Sequence, residues 1–267
     1  MKTVPVDLPP SLHLEQRVDV AVLTLSRAAK RNALDDVTVQ ALGQFFAAPP
    51  PWAKVVVLAA AGDHFSAGLD LAALDELDAV SGLHHSRMWH EAFARIESGM
   101  VPVIAALKGA VVGGGLELAA AAHLRVAEDS AFFALPEGSR GLFVGGGASV
   151  RVPRLIGAHR MADMMLTGRV LTADEGAEAG LAHYRVRDGA ALDKAIELAE
   201  RIATNSPITN YAVLQALPRI VEASPDTGYL LESLMAAVAQ SSTEAKERMN
   251  EFLAGRAAKV SSTQGDR

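Results

Sequence analysis

Three short, mainly apolar runs occur in the first half of the chain, at positions 18–25, 55–60 and 101–107. They are rich in valine, leucine and isoleucine and lack a regular polar face. Such runs are typical of strands that are covered on both faces, as in a parallel sheet. The pattern therefore predicts three buried strands.

Helical segments separate these strands. A helix is expected to open at residues 32–35 and to end before Pro49, because three prolines in a row cannot continue a helix. Residues 86–98 carry apolar side chains at helical spacing, which gives one apolar stripe. The stripe is formed by Trp89, Phe93 and Ile96.

Two glycine clusters mark the middle of the chain, at residues 113–115 and 145–147. An alanine-rich helix over 116–122 follows the first cluster, then short strands over 124–127 and 131–135. The second cluster precedes another helical region, and 192–202 forms an amphipathic helix. The last hundred or so residues show little strand signal. The order is strand–helix units first and helices afterwards, which predicts an α/β fold with a helical C-terminal region.

The remaining segments are less regular. Residues 1–12 contain three prolines and read as an irregular arm, and 71–82 fits no clear period and is compatible with a mobile loop. Ser241 precedes Glu244 by three residues, which is a capping-box pattern. Gly255 is placed to end the last helix, and the tail beyond it is expected to be disordered.

Composition excludes several kinds of chemistry. The chain of 267 residues has no cysteine, so disulfides, thiolate metal sites and a cysteine nucleophile are excluded. Its formal net charge of −6 gives no reason to expect nucleic acid or an anionic membrane as a partner. No apolar run approaches the roughly 20 residues of a membrane helix. The N-terminus lacks a signal-peptide pattern, so a cytoplasmic protein is expected.

A turn of small residues follows the second strand. It begins at His64 and includes Ala67, Gly68 and Leu69. A small-residue turn after a strand is usually only a turn. Under a functional interpretation, Ala67 and Gly68 let the backbone approach a ligand closely, and the amide of Leu69 points into a site.

The glycines at 113–115 stand directly before a helix. Unpaired amides at a helix N-terminus, together with the helix dipole, stabilise negative charge. The spacing does not match a dinucleotide fingerprint, and no Gly-Lys-Ser/Thr follows as in a phosphate-binding loop. A packing turn is the alternative.

Two glutamates occur in unusually apolar surroundings. Glu117 lies among leucines and alanines, where a carboxylate is expensive to bury unless it is paired or used. Glu137 follows an apolar strand and a proline that fixes the backbone. The alternatives are that Glu117 faces solvent on an amphipathic helix and that Glu137 lies in an ordinary solvated loop. Together, however, the two residues suggest a paired acid/base site.

Other catalytic chemistries find little support. His84, His85 and His90 do not share the spacing of a metal site. Ser66 and Ser139 lack the Gly-x-Ser-x-Gly elbow of a serine hydrolase. No metal is expected.

Taken together, these stretches resemble the crotonase, or enoyl-CoA hydratase/isomerase, superfamily. The resemblance runs from about residue 18 to residue 256, and its motifs occur in the family's order. They are Lys-Arg-Asn-Ala-Leu-Asp at 30–35, Phe-Ser-Ala-Gly-Leu-Asp at 65–70, Gly-Gly-Gly-Leu-Glu-Leu at 113–118, Leu-Pro-Glu-Gly at 135–138, Arg-Leu-Ile-Gly at 154–157, Leu-Thr-Gly-Arg at 166–169 and Ala-Gly-Leu at 179–181.

The resemblance implies a crotonase-like spiral of ββα units over 13–203, a helical region for packing and oligomerisation over 204–256, and a flexible tail over 257–267. It implies a homotrimer or a dimer of trimers that acts on an acyl-CoA thioester. Coenzyme A would be part of the substrate, and no separate cofactor would be needed.

The resemblance also implies roles for individual residues. The amides of Leu69 and Gly114 would form an oxyanion hole, and Glu117 and Glu137 would be the two catalytic glutamates of a hydratase. Contacts with substrate are expected from Lys30, Arg31, Ala67, Gly68, Asp70, Leu71, Trp89, Gly113, Leu142 and Phe143, and from Phe252 and Arg256 of an adjacent C-terminal helix.

Two features depart from the family pattern. Leu69 is bulkier than the alanine often found there, and residues 141–147 lack the proline of many hydratases. The second segment is expected at the acyl end of the site. Enoyl-CoA hydration is the expected reaction, with double-bond isomerisation or another crotonase-type reaction as the alternative. A catalytically silent acyl-CoA-binding homologue is a third possibility.

Overall fold

The computed structural model describes residues 8–73 and 78–256. The chain divides into two compact units, Met1–Ala203 and Thr204–Arg267. The first unit carries both sheets and the residues of the central cavity. The second is helical in its described part.

A six-stranded sheet forms the centre of the first unit. It is parallel except for its first strand, which pairs antiparallel with the second. In spatial order the strands are β1 (Leu12–Arg17), β2 (Val20–Leu25), β3 (Val55–Ala60), β4 (Val103–Leu107), β6 (Leu124–Glu128) and β9 (Tyr184–Val186).

A smaller sheet of three strands lies beside the first. Its order is β5 (Ala110–Val112), β7 (Phe132–Ala134) and β8 (Leu171–Thr172). Strands β5 and β7 run parallel and end side by side. Because β4 leads directly into β5, and β6 into β7, each of these steps has two strands before its helical segment.

The helices of the first unit contribute residues to two apolar clusters. They are α1 (Asp36–Ala47), α2 (Ala79–Glu97), α3 (Gly114–Ala121), α4 (Ala148–Ile156), α5 (Ala158–Thr167), α6 (Ala173–Ala179) and α7 (Ala191–Ala203). Strands β2, β3 and β4 alternate between two apolar clusters, one on each face. Both faces of these strands are therefore buried, as their uninterrupted apolar sequence predicts.

The second unit consists of α8 (Pro207–Tyr211), a π-helical turn (Ala212–Ala216), α9 (Leu217–Glu222), α10 (Pro225–Ser241) and α11 (Thr243–Leu253). The division by compactness falls after Ala203, and the assignment of 204–256 to packing and oligomerisation stays a prediction. The expected tail at 257–267 lies outside the described residues.

The structure corrects several local expectations. Strand β1 begins at Leu12, the last residue of the expected irregular arm, and continues over residues for which no element was predicted. Exposed Val18, expected in a strand, has φ of 50° and belongs to the turn before β2. In the described part of 71–82, Leu71–Ala73 form a 3-10 turn and α2 begins at Ala79 with Asp78 as its N-cap, while 74–77 lie outside the described residues. The cap of α11 is Ser242 rather than Ser241. Finally, β8 and β9 place two short strands after residue 168.

No helix within the described ranges is long and apolar enough to cross a membrane. The same ranges contain no cluster of three or more histidine or carboxylate side chains that could hold a metal ion.

Candidate active site

A cavity of about 340 Å³ opens within the first unit. Ten of the residues that the sequence suggested for the site line it: Ala67, Leu69, Leu71, Trp89, Gly113, Gly114, Glu117, Glu137, Leu142 and Phe143. Both glutamates and both candidate amide donors are therefore brought to one cavity from three separate segments of the chain.

Glu117 lies in the first turn of α3 and is 3% exposed. Its Oε1 accepts hydrogen bonds from the amides of Gly146 (2.8 Å) and Ala148 (3.0 Å). Burial raises the pKa of the Glu117 carboxyl, while these amides and the charge of Arg151 act in the opposite direction. A buried carboxylate is thus held by donors through one oxygen, and Oε2 accepts no hydrogen bond from the part of the chain that the structure describes.

Glu137 lies three residues beyond the end of β7, in a 3-10 turn that begins at Pro136. Its Oε2 is buried and has no hydrogen-bond partner among the described residues. Burial raises the pKa of Glu137, and the negative charge of Glu117 raises it further. A carboxyl group in this position favours its neutral form and can donate a proton.

Parallel pairing explains why Glu137 meets the glycine cluster. Strands β5 and β7 end at the same edge, and the amide of Gly113 donates to the carbonyl of Ala134 at 2.9 Å. Gly113 has φ of 51°, and a Cβ atom there would lie 2.6 Å from Oε1 of Glu137. Only glycine fits this backbone and leaves room for the carboxylate.

The amides of Leu69 and Gly114 lie close together. A Cβ atom on Gly114 would be 3.3 Å from the nitrogen of Leu69. Within residues 8–73 and 78–256, neither amide donates a hydrogen bond to another group. Gly114 is also the first residue of α3, where the helix dipole adds positive potential. The pair can therefore stabilise an oxyanion.

The turn that carries Leu69 is fixed by its neighbours. The carbonyl of Gly68 accepts from Leu34 at 2.8 Å, and Asp70 donates to the carbonyl of Leu34 at 2.8 Å. These two bonds on either side of Leu69 set the direction of its amide. Gly68 does not line the cavity; a side chain there would meet the carbonyl of Val112 at 2.6 Å, so its contribution is close packing of the turn.

Lys30, Arg31 and Asp70 lie outside the cavity lining. Asp70 is buried and accepts from Arg27 at 2.7 Å and from Lys30 at 3.4 Å. The hydrogen bond from Arg27 in particular lowers the pKa of Asp70. These contacts give Asp70 a structural role in the turn. Substrate binding by Lys30, Arg31, Gly68 and Asp70 stays a prediction. So does the contribution of Phe252 and Arg256, which belong to the helical unit.

Seven further residues line the cavity that sequence reasoning had not assigned to the substrate: Gly82, His85, Ser86, Arg140, Val144, Gly145 and Gly146. The second glycine cluster was visible in the sequence, and its segment was expected at the acyl end. Its amide contacts with Glu117, 29 and 31 residues away along the chain, had no sequence signal.

The family model for enoyl-CoA hydratase/isomerase matches residues 15–262. The chain belongs to this family. Among curated relatives of the hydratase/isomerase family, the short-chain-enoyl-CoA hydratase of Clostridium acetobutylicum is 30% identical, over 90% of this chain and 93% of that protein. The enoyl-CoA hydratase EchA19 of Mycobacterium tuberculosis is 32% identical, over 93% and 95%.

A crystal structure from Rhodopseudomonas palustris, of a protein described as a candidate enoyl-CoA hydratase, is 58% identical and superposes with a TM-score of 0.91. The match covers 95% of this chain and 98% of that one. The crotonase-like α/β fold expected for an enoyl-CoA hydratase/isomerase is thereby confirmed.

Proposed function

We propose that this protein hydrates the 2,3 double bond of enoyl-CoA thioesters. The observation that carries the proposal is the convergence of two carboxyl groups and two unpaired backbone amides on one cavity. The names of the relatives with 30–32% identity support the same reaction.

In the proposed reaction the thioester carbonyl lies against the amides of Leu69 and Gly114. Negative charge grows on this oxygen as the enolate forms, so the two donors stabilise the transition state more than the ground state. Loss of one such donor typically reduces the rate about 100- to 1000-fold.

The glutamates supply the proton transfers. Glu117, in its ionised form, which its amide donors favour against the effect of burial, takes a proton from water as the water oxygen bonds to C3. Glu137, in its neutral form, gives a proton to C2. The π bond between C2 and C3, one O–H bond of water and the O–H bond of Glu137 break. One C–O bond, one C–H bond and an O–H bond on Glu117 form, so the two carboxyl groups exchange protonation states. Return of a proton from Glu117 to Glu137 restores the enzyme.

Isomerisation of a 3-enoyl-CoA is the competing reaction on this scaffold, and it needs only one carboxylate. Here Glu117 and Glu137 both reach the cavity, and the charge of one affects the pKa of the other. Two coupled carboxyl groups suit the addition of water, which needs a base and an acid.

Coenzyme A enters the proposal as part of the substrate, with no separate cofactor. We also propose that the protein forms a homotrimer or a dimer of trimers and acts in the cytoplasm. Analytical ultracentrifugation of the purified protein tests the assembly, with a monomer as the contradicting result.

The reaction itself is tested with crotonyl-CoA by following the absorbance of the conjugated thioester. Loss of absorbance with formation of 3-hydroxybutyryl-CoA is expected. If enoyl-CoA substrates of every chain length persist while a 3-enoyl-CoA is converted, the protein is an isomerase. Tight binding of CoA thioesters without any turnover would indicate a silent homologue.

A further inference from the structure

The turn at residues 145–148 approaches Glu117 with its peptide N–H groups. The amides of Gly146 and Ala148 donate to Oε1 of Glu117, and the intervening amide of Gly147 also lowers the pKa of that carboxyl group. Successive N–H groups that point at one anion form a nest. The direction of these amides determines where the carboxylate of Glu117 is held.

The carbonyl groups of the same peptides are fixed from the other side. Ser86 of α2 donates to the carbonyl of Gly145 at 2.6 Å, and this carbonyl shares a peptide with the amide of Gly146. Arg151 of α4 donates through Nη1 to the carbonyl of Gly146 at 3.0 Å, and this carbonyl shares a peptide with the amide of Gly147. Both peptides are thus held at their oxygens, and the N–H of the first one, that of Gly146, donates to Glu117.

Arg151 is itself held firmly. It is 8% exposed, and its Nε donates to Oε2 of Glu97, near the end of α2, at 2.8 Å. Gly147 has φ of 105°, and a Cβ atom there would lie 2.3 Å from Nη1 of Arg151. The guanidinium group therefore fills the space next to Gly147 and joins α2, α4 and the turn.

We propose that Ser86 and Arg151 are positioning residues that lock the two peptides of this turn and so keep the free Oε2 of Glu117 directed at the bound water. The inference rests on the proposed hydration, in which Glu117 is the base. Neither side chain needs to touch the reacting atoms.

Two physical effects give these residues more than a packing role. A hydrogen bond to a carbonyl polarises the peptide, so that its N–H becomes a stronger donor to Glu117. Arg151 also brings a positive charge that favours the ionised form of Glu117. Loss of either residue should loosen the carboxylate and disfavour its ionisation.

The test compares Ser86→Ala, Arg151→Met and Arg151→Lys with wild type. Arg154→Met serves as a matched control, because Arg154 is an exposed arginine on the same helix. Both Ser86→Ala and Arg151→Met should lower kcat with crotonyl-CoA by about 10- to 100-fold, the size expected when a reacting group is slightly misplaced, with little change in KM. Arg151→Lys should recover part of kcat, and the control should retain full activity.

A second readout is independent of turnover. Titration of the Glu117 carboxyl carbon by NMR, with 13C-labelled glutamate, should show a higher pKa in Arg151→Met than in wild type. The other titratable and charged groups near this part of the site include Glu97, paired with Arg151, Glu137 and Arg140 on the 3-10 turn, and His85 and His90 on α2. Burial, and then the charges of Arg151 and Arg87, lower the pKa of His90. Site-specific assignment of Glu117 separates its titration from theirs.

The outcomes separate the two proposals. A wild-type protein that hydrates no enoyl-CoA would overturn the proposed function, while the NMR titration would still report on the turn. Full kcat and an unchanged Glu117 pKa in folded Arg151→Met would overturn the positioning role. A fall in folded protein alone, without a change in kcat per folded molecule or in the pKa, would also overturn it.

Discussion

The indole ring of Trp89 packs directly against Gly114, so closely that a Cβ atom on Gly114 would lie 2.9 Å from Cζ3 of the ring. The same ring would lie 3.1 Å from a Cβ atom on Gly146. Trp89 is held in place by an edge-to-face contact with Phe93 and by a hydrogen bond from Nε1 to Asp36 at 3.3 Å. It therefore forms a rigid wall between the oxyanion donors and the turn that holds Glu117.

We expect Trp89 to limit the room for the acyl group. Replacing it with leucine should raise kcat/KM for a long-chain enoyl-CoA relative to crotonyl-CoA by about tenfold, the effect typical of altering an apolar pocket by a few atoms. Steady-state assays with 2-butenoyl-CoA and 2-dodecenoyl-CoA measure the ratio. Trp89→Phe keeps an aromatic wall, and Trp52→Leu is a control outside the cavity lining. An unchanged ratio in folded Trp89→Leu would contradict this role.

The two glutamates should be separately essential. Glu117→Gln and Glu137→Gln are each expected to reduce kcat for crotonyl-CoA by at least about 100-fold, the usual contribution of a general acid or base. The double variant should be scarcely slower than the worse single variant, because both residues serve one step. Glu91→Gln, which changes an exposed carboxylate on α2, should leave kcat unchanged. If neither site variant falls by this factor, the acid/base assignment is wrong.

Sequence reasoning reached the parts of the fold that local chemistry determines. The valine-rich runs of β2, β3 and β4 and the apolar stripe of α2 need only their own residues to be recognised, and their buried positions follow. Strand β1 was not predicted, because its side chains are largely exposed and show no pattern of burial. Its existence depends on pairing with β2, which is a tertiary relationship.

Some residues of the candidate site could likewise be predicted from the sequence, and others could not. Glu117 and Glu137 attracted attention because a carboxylate in apolar sequence needs a reason, and resemblance to a family added their roles. The contacts of Ser86 and Arg151 with the glycine turn carry no such mark. Serine and arginine are common on helices, and only the folded structure brings α2 and α4 to one peptide segment.

The role of the Gly114 amide as an oxyanion donor can be tested by a substitution that removes the backbone N–H. Gly114 is the first residue of α3, a position at which proline is tolerated. Gly114→Ala and Gly114→Pro both place a Cβ atom against Trp89, but only proline removes the N–H. We therefore expect kcat of the proline variant to be about 100- to 1000-fold below that of the alanine variant.

Circular dichroism of both Gly114 variants checks that the fold is retained. Equal kcat in the two folded variants would show that this amide does not stabilise the transition state. If both variants are equally slow and both fall far below wild type, the loss comes from the new contact with Trp89 rather than from the amide.

The ion pair of Asp70 with Arg27 should contribute to stability rather than to chemistry. Its hydrogen bonds lower the pKa of Asp70, so the stabilisation is present above the unfolded-state pKa and is lost as pH falls through the folded-state pKa. Asp70→Asn should reduce the free energy of unfolding by about 1–3 kcal/mol at pH 7, as for hydrogen bonds to charged groups. The difference from wild type should shrink under acid conditions.

Urea denaturation at several pH values measures this difference. Asp19→Asn provides a comparison, because its pair with Lys54 is exposed on both sides and should be worth less than about 1 kcal/mol. A loss for Asp70→Asn that does not depend on pH would contradict the ionic origin of the effect.

Glu137 should lower the stability of the native state at neutral pH, because its catalytic environment disfavours its charge. Burial and the charge of Glu117 raise its pKa above the ordinary value of 4.5, so between that value and the raised one the native state binds more protons than the unfolded state. Stability then falls as pH rises through this window.

Glu137→Gln has no charge to bury, so its free energy of unfolding relative to wild type should increase across the same window and level off above it. Denaturation curves from pH 4 to pH 8 test this, with Glu91→Gln as the exposed control. If Glu137→Gln gains no stability relative to wild type as pH rises, the native protein accommodates the ionised carboxylate well. Glu137 is then not kept in the neutral form that a catalytic acid needs.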